Sequence, residues 1–448
     1  MMRTAPTLAL LGLATLLAAC GGGGGDGDDV RVLSSRTEHA DPLAAVCALP
    51  RSGNDPYNGN RPYPDRQGGI GDEKAWLNAY MHDVYLWYRE IPNVNAAPYT
   101  VANYGGVQAA LHEYFRALLT PAVTPSGKYK DQFSFTYPTD QWNALSQGGV
   151  EVGYGLQFAA LATYPPRDYR VAYVYPAVPS GNKVVARGAR VLAIDGVSID
   201  DSSDAGIDTL SAGLFPDTAG EQHSFRVLDD GSSTPRNVVL TAAQVTSTPV
   251  QNVHSIATST GSVGYMLFND HIATAEGQLI AAVQQLKNAN VSDLVLDMRY
   301  NGGGYLDIAS ELAYMIAGPA RTTGKTFERL RFSDQSPLND SPDAVTPFRG
   351  TAVGFDPSVT EGTALPQLGL SRVYVLVGPG TCSASEAVVN GLRGVDVQVL
   401  LIGDTTCGKP YGFFAQDNCG LSYFAIEFSG FNAKGFGDYA DGFAPTCT

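Results

Sequence analysis

The spacing of apolar residues changes several times along the chain, and these changes divide it into five segments. Residues 1–20 hold a short apolar run, and residues 21–72 form a polar, glycine-rich stretch. In residues 73–147 apolar residues return every three or four positions, which predicts a small helical domain. Short apolar runs separated by turns predict a β module over residues 148–246. Strand-like and helix-like runs alternate over residues 247–448, which predicts an α/β core and a mixed α/β, multi-domain fold.

The predicted core contains three runs with the composition of buried strands. They are Asp293–Arg299, Val373–Val377 and Val397–Ile402, and a segment with helical spacing, Leu306–Ile316, follows the first of them. A glycine-containing turn with polar residues follows each of the three strands. The candidate chemistry of the chain is concentrated in these turns.

Ser383 stands where the second predicted strand turns into a helix. The preceding residues, Gly378 to Cys382, include a Gly-Pro-Gly break, and the apolar spacing of a helix begins at Ala384. A serine at a strand-to-helix turn has an exposed hydroxyl close to helix N–H groups, which makes it a candidate nucleophile. The same residues also read as a capping box, in which Ser383 caps the helix and Glu386 reaches back to it. Both interpretations are open at the level of this motif alone.

Lys409 follows the third predicted strand and is a candidate general base. Residues Gly403 to Lys409 also fit the phosphate-loop pattern G-x-x-x-x-G-K, but Pro410 stands where that loop needs Ser or Thr. We therefore expect no nucleotide ligand. The net charge of −15, with no basic stripe, also argues against binding of nucleic acid.

The first predicted strand leads into Asn301-Gly302-Gly303-Gly304. Consecutive glycines leave backbone N–H groups unshielded, as an oxyanion hole requires, although most glycine-rich turns are only turns. The three turns gain meaning from their order along the chain. That order resembles the carboxyl-terminal processing (tail-specific) proteases, which are serine–lysine peptidases with a PDZ domain and a tricorn-like, ClpP/crotonase-like core.

This resemblance implies specific roles for residues of the three turns. Ser383 would be the nucleophile and Lys409 the general base, and Gly303 and Ala384 would donate the oxyanion-hole N–H groups. No metal or organic cofactor is expected. The sequence departs from the family pattern at Gly302, where the family usually has proline, at Pro410, where it has glycine, and in a polar insertion at Ser333–Thr363.

A lysine acts as a base only when its amine is neutral. The free side chain has a pKa of about 10.4, so a neutral amine at pH 7 costs about 4.6 kcal/mol unless the site lowers that pKa. Burial among apolar groups disfavours the ammonium form. The apolar residues around Lys409, among them Ile402 and Phe413, are expected to provide such burial.

The β module resembles a PDZ domain in two stretches, Gly153–Phe158 and Gly188–Gly196. PDZ domains bind C-terminal peptides by strand addition, and the N–H groups of a glycine loop hold the terminal carboxylate. The resemblance implies that Tyr154, Gly155 and Leu156 line that site, and that the partners are proteins or peptides with free C-terminal tails. A structural β module without peptide affinity is the alternative.

The first twenty residues have the features of an export signal. A lone positive charge at Arg3 precedes an apolar run that is too short to span a bilayer. Leu17 to Cys20 resembles a bacterial lipobox, which implies lipidation of Cys20 and an anchor in the cell envelope, in the outer membrane because Gly21 follows. An ordinary signal peptide, or a short anchor with an incidental cysteine, is the alternative.

Five further cysteines remain, and an exported protein can keep disulfides. Cys407 and Cys419 flank a predicted hairpin and are the preferred pair. A bond between Cys47 and Cys447 is left open, and Cys382 is left as the odd thiol. The histidines and cysteines show no zinc-site spacing, so no metal is expected.

These observations favour a lipid-anchored serine endopeptidase of the bacterial cell envelope that recognises C-terminal tails. A noncatalytic peptide-binding lipoprotein of the same fold is the alternative. The presence of both Ser383 and Lys409 argues against that alternative.

Overall fold

The computed structural model describes residues 40–124 and 126–447. Cys20 and the predicted export signal lie outside this part of the chain. The described residues form two compact units, one built from Gly148–Thr248 and the other from the residues on either side of it. Within the described residues, no helix is long and apolar enough to cross a membrane. The predicted mixed α/β, multi-domain class is confirmed.

The residues before the smaller unit contain four helices and five short strands. Their bounds are β1 Val46–Cys47, β2 Asn54–Asp55, β3 Arg61–Pro62, β4 Arg66–Gln67, α1 Ile70–Val84, α2 Val101–Tyr104, α3 Val107–Ala117, β5 Phe135–Pro138 and α4 Thr139–Gly148. Helix α1 buries Trp76, Leu77 and Tyr80 on one face. Its apolar face, like that of α3, points into the larger unit.

The smaller unit is an antiparallel sheet with one helix. Its elements are β6 Val150–Gly153, β7 Leu156–Ala162, β8 Asp168–Val174, β9 Arg190–Ile194, β10 Val197–Ser198, α5 Asp204–Leu214, β11 Gln222–Leu228, β12 Arg236–Thr241 and β13 Ala243–Thr246. The main sheet has the order β12-β11-β9-β8-β7, with β10 beside β9, and β6 pairs separately with β13. Strand β7 is therefore an edge strand of the main sheet.

The residues after this unit form the core of the larger one. Its elements are β14 Val250–Thr258, β15 Gly261–Phe268, α6 Ala275–Asn288, β16 Asp293–Asp297, α7 Leu306–Ala317, α8 Pro319–Thr322, β17 Thr326–Phe332, β18 Val345–Pro347, β19 Arg372–Val377, α9 Ala384–Gly394, β20 Gln398–Gly403, β21 Tyr411–Gly412, β22 Gln416–Asn418, β23 Leu421–Phe424 and β24 Phe428–Phe431. Short 3-10 turns lie at Asp41–Leu43, Tyr88–Glu90, Ser180–Asn182, Pro337–Asp340 and Pro342–Ala344.

The central sheet of the core has the order β14-β15-β16-β19-β20. Strands β15, β16, β19 and β20 are parallel to one another, and β14 is antiparallel to β15. The parallel strands are almost entirely apolar, as expected for strands that are covered on both faces. Helices α6, α7 and α9 supply the apolar cover, with side chains such as Leu279, Leu312 and Val388 fully buried.

The N-terminal helices pack within the larger compact unit, and the small helical domain over residues 73–147 stays a prediction. They belong to the larger unit, because β5 pairs with β23 and completes a three-stranded sheet with β22. Tyr423 on β23 packs against Trp76 and Phe115, with ring centroids 5.2 and 5.8 Å apart. The apolar faces of α1 and α3 are therefore buried against a strand that lies about 300 residues later in the chain.

Two buried carboxyl groups tie the polar insertion Ser333–Thr363 to the core. Glu276 on α6 accepts the N–H of Gly354 at 2.8 Å, and Glu311 on α7 accepts that of Val353 at 2.8 Å. Burial, with a contribution from the neighbouring charge of Glu276, raises the pKa of Glu311 to about 9. The insertion is thus held by side chains of the helices beneath it.

Candidate active site

The three turns singled out in the sequence meet at one edge of the central sheet. Strands β16, β19 and β20 are consecutive parallel neighbours, so their carboxyl ends lie side by side. The turn after β16 carries Gly303, the turn after β19 carries Ser383, and the loop after β20 carries Lys409. The N–H of Cys382 donates to Asn301 O at 3.1 Å, and the N–H of Cys407 donates to Thr381 O at 3.0 Å. One backbone hydrogen bond therefore joins the turn after β16 to the turn after β19, and the other joins the turn after β19 to the loop after β20.

Ser383 lies at the start of α9 in an unusual backbone conformation. Its φ is 54° and its ψ is −117°, whereas non-glycine residues rarely adopt a positive φ. Such a conformation costs about 1–3 kcal/mol and persists where the surroundings impose it, often at active sites. A Cβ on Gly303 would lie 2.9 Å from both Ser383 Cβ and Ala384 N. Glycine at position 303 is what allows the turn after β16 to approach the serine so closely.

Glu386 links the serine turn to the lysine loop. Its carboxylate is fully buried, and its Oε2 accepts the N–H groups of Ser383 at 3.0 Å and Lys409 at 2.8 Å. Its Oε1 accepts the Thr406 hydroxyl at 2.5 Å and the Gly408 N–H at 2.9 Å. Burial raises the pKa of Glu386, and the four donors oppose that shift. One carboxylate thereby fixes the backbone positions of both candidate catalytic residues relative to each other.

Half of the predicted capping box is present. Glu386 reaches back to the Ser383 N–H, as predicted from the motif, but the Ser383 side chain makes no capping hydrogen bond to α9. The hydroxyl of Ser383 is not used in holding the helix end. The capping role that competed with nucleophilic catalysis therefore belongs to Glu386.

The predicted disulfide between Cys407 and Cys419 is wrong. Cys382 is bonded to Cys407, and Cys47 is bonded to Cys419; Cys447 is an exposed free cysteine. Cys407 lies in the loop after β20, next to the carboxyl end of β19, whereas Cys419 lies in the tight turn between β22 and β23. The Cys382–Cys407 bond therefore connects the residue before Ser383 to the loop that carries Lys409.

Lys409 is buried, with 1% of its surface exposed. Its Nζ lies 4.2 Å from the ring centroid of Phe413 and 5.5 Å from that of Phe133. This is the apolar burial that a lysine base requires. Aromatic ring faces also stabilise an ammonium group, so the same rings favour the protonated amine that would form when the lysine takes up a proton.

Ser383 and Lys409 line one cleft. Only 4% of the surface of Ser383 is exposed, so its access to solvent is through this opening. The remaining wall is mainly apolar, and it includes Leu306, Phe428 and Tyr439. This wall would lie beside a peptide that is bound at the serine.

The predicted oxyanion donors differ in their availability. Ala384 is the first residue of α9, where backbone N–H groups have no partner within the helix. The N–H of Gly303 instead donates to Asn301 Oδ1 at 3.0 Å. His271 stabilises this arrangement, since its N–H donates to Gly303 O and its Nδ1 lies 3.0 Å from Asn301 Oδ1. Burial lowers the pKa of His271 to about 4, so its ring is neutral at physiological pH.

The predicted peptide loop of the smaller unit precedes its edge strand β7. Gly155 has a φ of 73°, and Leu156 begins β7. The Tyr154 side chain is buried, with its hydroxyl donating to Gly213 O at 2.8 Å, while Tyr154 O accepts from Asn182 Nδ2 at 2.9 Å. A ligand at this loop would therefore meet backbone groups rather than the tyrosine ring.

One group of potential metal ligands lies in the candidate site. The sulfurs of Cys382 and Cys407 and a carboxylate oxygen of Glu386 all lie within 4.8 Å of one another. The two sulfurs are bonded to each other, and the carboxylate already accepts four hydrogen bonds. In this oxidation state the donor set does not fit a metal ion.

Sequence reasoning missed three features of the site. It treated Glu386 only as a capping residue, it left Cys382 without a partner, and it overlooked Glu328, a carboxyl group in the cleft. The alternation of β17 contained a signal for the last of these, since Glu328 is in phase with the apolar residues Leu330 and Phe332. No comparable local signal links Glu386 to Lys409.

Two family models match the chain. The model of peptidase family S41 matches residues 262–414, and the model of the peptidase S41 N-terminal domain matches residues 72–135. The first match contains all three turns of the candidate site. The second covers α1 to α3 and the start of β5.

Relatives of known name agree with these matches. A carboxyl-terminal-processing protease of Synechocystis sp. is 26% identical over 220 residues, which cover 49% of this chain and 44% of the relative. That of Picosynechococcus sp. is 25% identical over 287 residues, which cover 62% and 60%. The chain thus matches about half the length of these relatives. The crystal structure of a putative S41 protease from Bacteroides fragilis has the same fold, with a TM-score of 0.58, 23% identity and coverage of 86% of this chain and 90% of that one.

Proposed function

Because the chain belongs to peptidase family S41, we propose that it is a serine endopeptidase with Ser383 as nucleophile and Lys409 as general base. The observation that carries the proposal is the joint attachment of these residues. Both line one cleft, both donate a backbone N–H to Glu386, and the Cys382–Cys407 bond ties their turns together. Such fixed geometry is what a nucleophile and its base need.

The proposed reaction begins with a proton transfer. The neutral amine of Lys409 takes the proton of the Ser383 hydroxyl while the serine oxygen attacks a peptide carbonyl carbon. The ammonium then forms between the rings of Phe413 and Phe133. It returns the proton to the leaving amine, an acyl-enzyme remains on Ser383, and attack by water on that ester releases the second product.

The negative oxygen of the tetrahedral intermediate needs hydrogen-bond donors. The Ala384 N–H lies at the positive end of the α9 dipole, which favours an anion there. The second proposed donor, the Gly303 N–H, is bonded to Asn301 Oδ1 in the structure. Completing the oxyanion hole therefore requires that this N–H exchange its partner when substrate binds.

We assign substrate recognition to the smaller unit. An extended C-terminal peptide would add to the open edge of β7, with its carboxylate at the loop formed by Tyr154, Gly155 and Leu156. The position of β7 at the sheet edge supports this assignment, and Gly155 allows the loop before it to turn, since a Cβ there would lie 2.9 Å from Val178 and Pro179. This unit would act as a PDZ domain that selects proteins with free tails.

The proposed location is the bacterial cell envelope, with a lipid anchor on Cys20 in the outer membrane. The two disulfides among the described residues support an oxidising compartment. Replacing Cys20 by alanine is expected to move the protein from the membrane fraction to the soluble fraction. An unchanged distribution between the fractions would contradict the anchor.

A cleavage assay tests the proposed dyad. Casein and a synthetic peptide with a free apolar tail are incubated with the wild type, with Ser383→Ala and with Lys409→Ala. We expect cleavage by the wild type only, while the surface variant Lys434→Ala remains active. Equal cleavage by all variants would refute the dyad. Tail binding without cleavage by the wild type would instead favour the noncatalytic peptide-binding protein.

A further inference from the structure

A carboxyl group outside the proposed dyad faces the same cleft as Ser383. Glu328 belongs to β17, has 4% of its surface exposed and lines the cleft together with Ser383 and Lys409. Within residues 40–124 and 126–447, its carboxyl group makes no hydrogen bond or ion pair. Its oxygens are not among the fully enclosed polar atoms that lack a partner, so the carboxyl group reaches the open space of the cleft.

The fold places Glu328 in the cleft through its strand and a neighbouring glycine. Along β17, Glu328, Leu330 and Phe332 are buried whereas Arg329 and Arg331 are exposed, so the glutamate occupies a position of the apolar face. The pairing of β17 with β18 shifts register just before Glu328. Such bulges re-aim side chains near active sites. On β24, a Cβ on Gly430 would overlap the Glu328 carboxyl group, so glycine at that position leaves room for it.

A purely structural role does not account for this side chain. The cleft wall includes Leu306, Phe428 and Tyr439 as well as Lys409, and an apolar side chain at position 328 would avoid the cost of burying a carboxyl group there. Burial raises the pKa of Glu328 to about 8, which reflects how poorly this environment tolerates its charge. A ligand that brings a cation or a hydrogen-bond donor would supply what the protein does not.

The position of the cleft identifies which part of a substrate would reach Glu328. The cleft is bounded by Ser383 and by Ala387, which lies one helical turn further along the same face of α9. In an acyl-enzyme, the residue bonded to the serine oxygen has its side chain nearest to these two residues. That residue stands on the amino side of the scissile bond.

We propose that Glu328 determines specificity by favouring cleavage after lysine. This inference rests on the proposed peptidase function. The apolar stem of a lysine would pack against Leu306 and Phe428, and its ammonium would pair with the Glu328 carboxylate. The cleft offers a single carboxyl group among mainly apolar side chains, which suits the compact ammonium of lysine, because the five N–H donors of a guanidinium would need further acceptors. When the ammonium enters, the Glu328 proton passes to solvent.

Peptides that differ at one position test the proposal. They share one sequence and one C-terminal tail, and the residue before the scissile bond is lysine, its apolar isostere norleucine, or arginine. At pH 8 we expect the wild type to cleave the lysine peptide with a kcat/KM about 10- to 100-fold above that for norleucine, the gain typical of a desolvated charge-assisted hydrogen bond. Glu328→Gln should lose this preference, so that its ratio of kcat/KM for the lysine and norleucine peptides falls to about one.

Two control variants separate specificity from loss of structure. Glu311→Gln also replaces a buried carboxyl group of raised pKa, but in a position away from the cleft, and it should keep the preference for lysine. Glu328→Leu fills the same site with an apolar side chain and should favour norleucine. A Glu328→Gln variant that retains the wild-type ratio of lysine to norleucine cleavage would overturn the proposal.

The outcome can be told apart from failure of the peptidase function. Cleavage that depends on Ser383 but shows no preference for lysine rejects the role of Glu328 and leaves the peptidase intact. If the wild type cleaves none of the peptides, binding is measured in the Ser383→Ala background with and without Glu328→Leu. Tail binding by the smaller unit is the same in both proteins and cancels in the comparison. If the lysine peptide binds more tightly than the norleucine peptide only in the protein that retains Glu328, the proposal is supported. If the two peptides bind equally tightly to that protein, the proposal is overturned.

Discussion

Replacing Glu386 by glutamine is expected to disturb both candidate catalytic residues at once. Each carboxylate oxygen accepts two donors, Oε2 those of Ser383 and Lys409 and Oε1 those of Thr406 and Gly408. A glutamine has one acceptor oxygen, and its NH2 group only donates. The variant therefore cannot satisfy all four donors, whichever way its amide is turned.

The orientation of the new amide sets the magnitude. With its NH2 towards Ser383 and Lys409, two buried N–H groups lose their acceptor. With its NH2 towards Thr406, the hydroxyl oxygen can accept from it beside the Phe443 N–H, the Thr406 O–H must turn to another acceptor, and the Gly408 N–H is the one backbone donor left unsatisfied. The second orientation is cheaper, and it costs about 1–3 kcal/mol for that group plus the lost charge assistance of the other bonds. We expect a total loss of unfolding free energy of about 3 kcal/mol.

The assays are thermal unfolding by circular dichroism and cleavage of a tailed peptide. Glu386→Gln should unfold several degrees below the wild type, and its kcat should fall about 10- to 100-fold, because a small displacement of reacting groups has effects of this size. The KM should change little, since Glu386 lies behind the cleft and does not line it. The exposed Glu361→Gln serves as the control for loss of a negative charge. Wild-type kcat and melting temperature in Glu386→Gln would refute the linking role of Glu386.

Three further changes test other parts of the site. Cys382→Ser should lower kcat strongly and reduce the free energy of unfolding by about 3.5 kcal/mol, the value for a closed loop of 25 residues. Cys47→Ser breaks the other disulfide and should leave kcat unchanged. Equal losses of kcat in the two variants would contradict the role given to the Cys382–Cys407 bond. Gly303→Ala should lower kcat/KM at least about 100-fold, because the new Cβ would lie 2.9 Å from Ser383 Cβ; a fully active variant would show that the turns do not need this close approach. In urea unfolding, the free energy of unfolding should fall as the pH rises from about 4.5 to about 9. Glu311 accounts for about 1.4 kcal/mol per pH unit of this fall, because over this range its carboxyl group keeps a proton in the folded protein and has lost it in the unfolded chain. Glu311→Gln should reduce this slope, and an unchanged slope would assign it to other groups.

The sequence predicted the elements of the core closely. Helix Leu306–Ala317 ends one residue beyond the predicted Leu306–Ile316, and the strands before the three turns begin and end within two residues of the prediction. These elements are governed by local periodicity, which a single sequence contains. The association of Ser383, Lys409 and Gly303 could also be expected from their order in a known family.

The pairing of cysteines shows where local reasoning fails. Cys407 and Cys419 are close in sequence and flank turn-forming residues, yet Cys419 bonds to Cys47, 372 residues away, with a Cα–Cα distance of 5.4 Å. Disulfides form between residues whose Cα atoms are about 4.4–6.8 Å apart, and that distance depends on the whole fold. The same limitation hid the incorporation of the N-terminal helices into the larger unit, which depends on the pairing of β5 with β23.

By itself, the sequence determined the order of strands, helices and turns and the residue types that the turns offer for chemistry. Only the tertiary structure decided how those turns are joined, because parallel strands bring their carboxyl ends together from distant parts of the chain. It made a capping glutamate into the link between Ser383 and Lys409, and it turned the carboxyl group of Glu328 into their cleft. Local spacing specifies which face of an element is buried, but the partner of each buried polar group is specified only when the elements are packed.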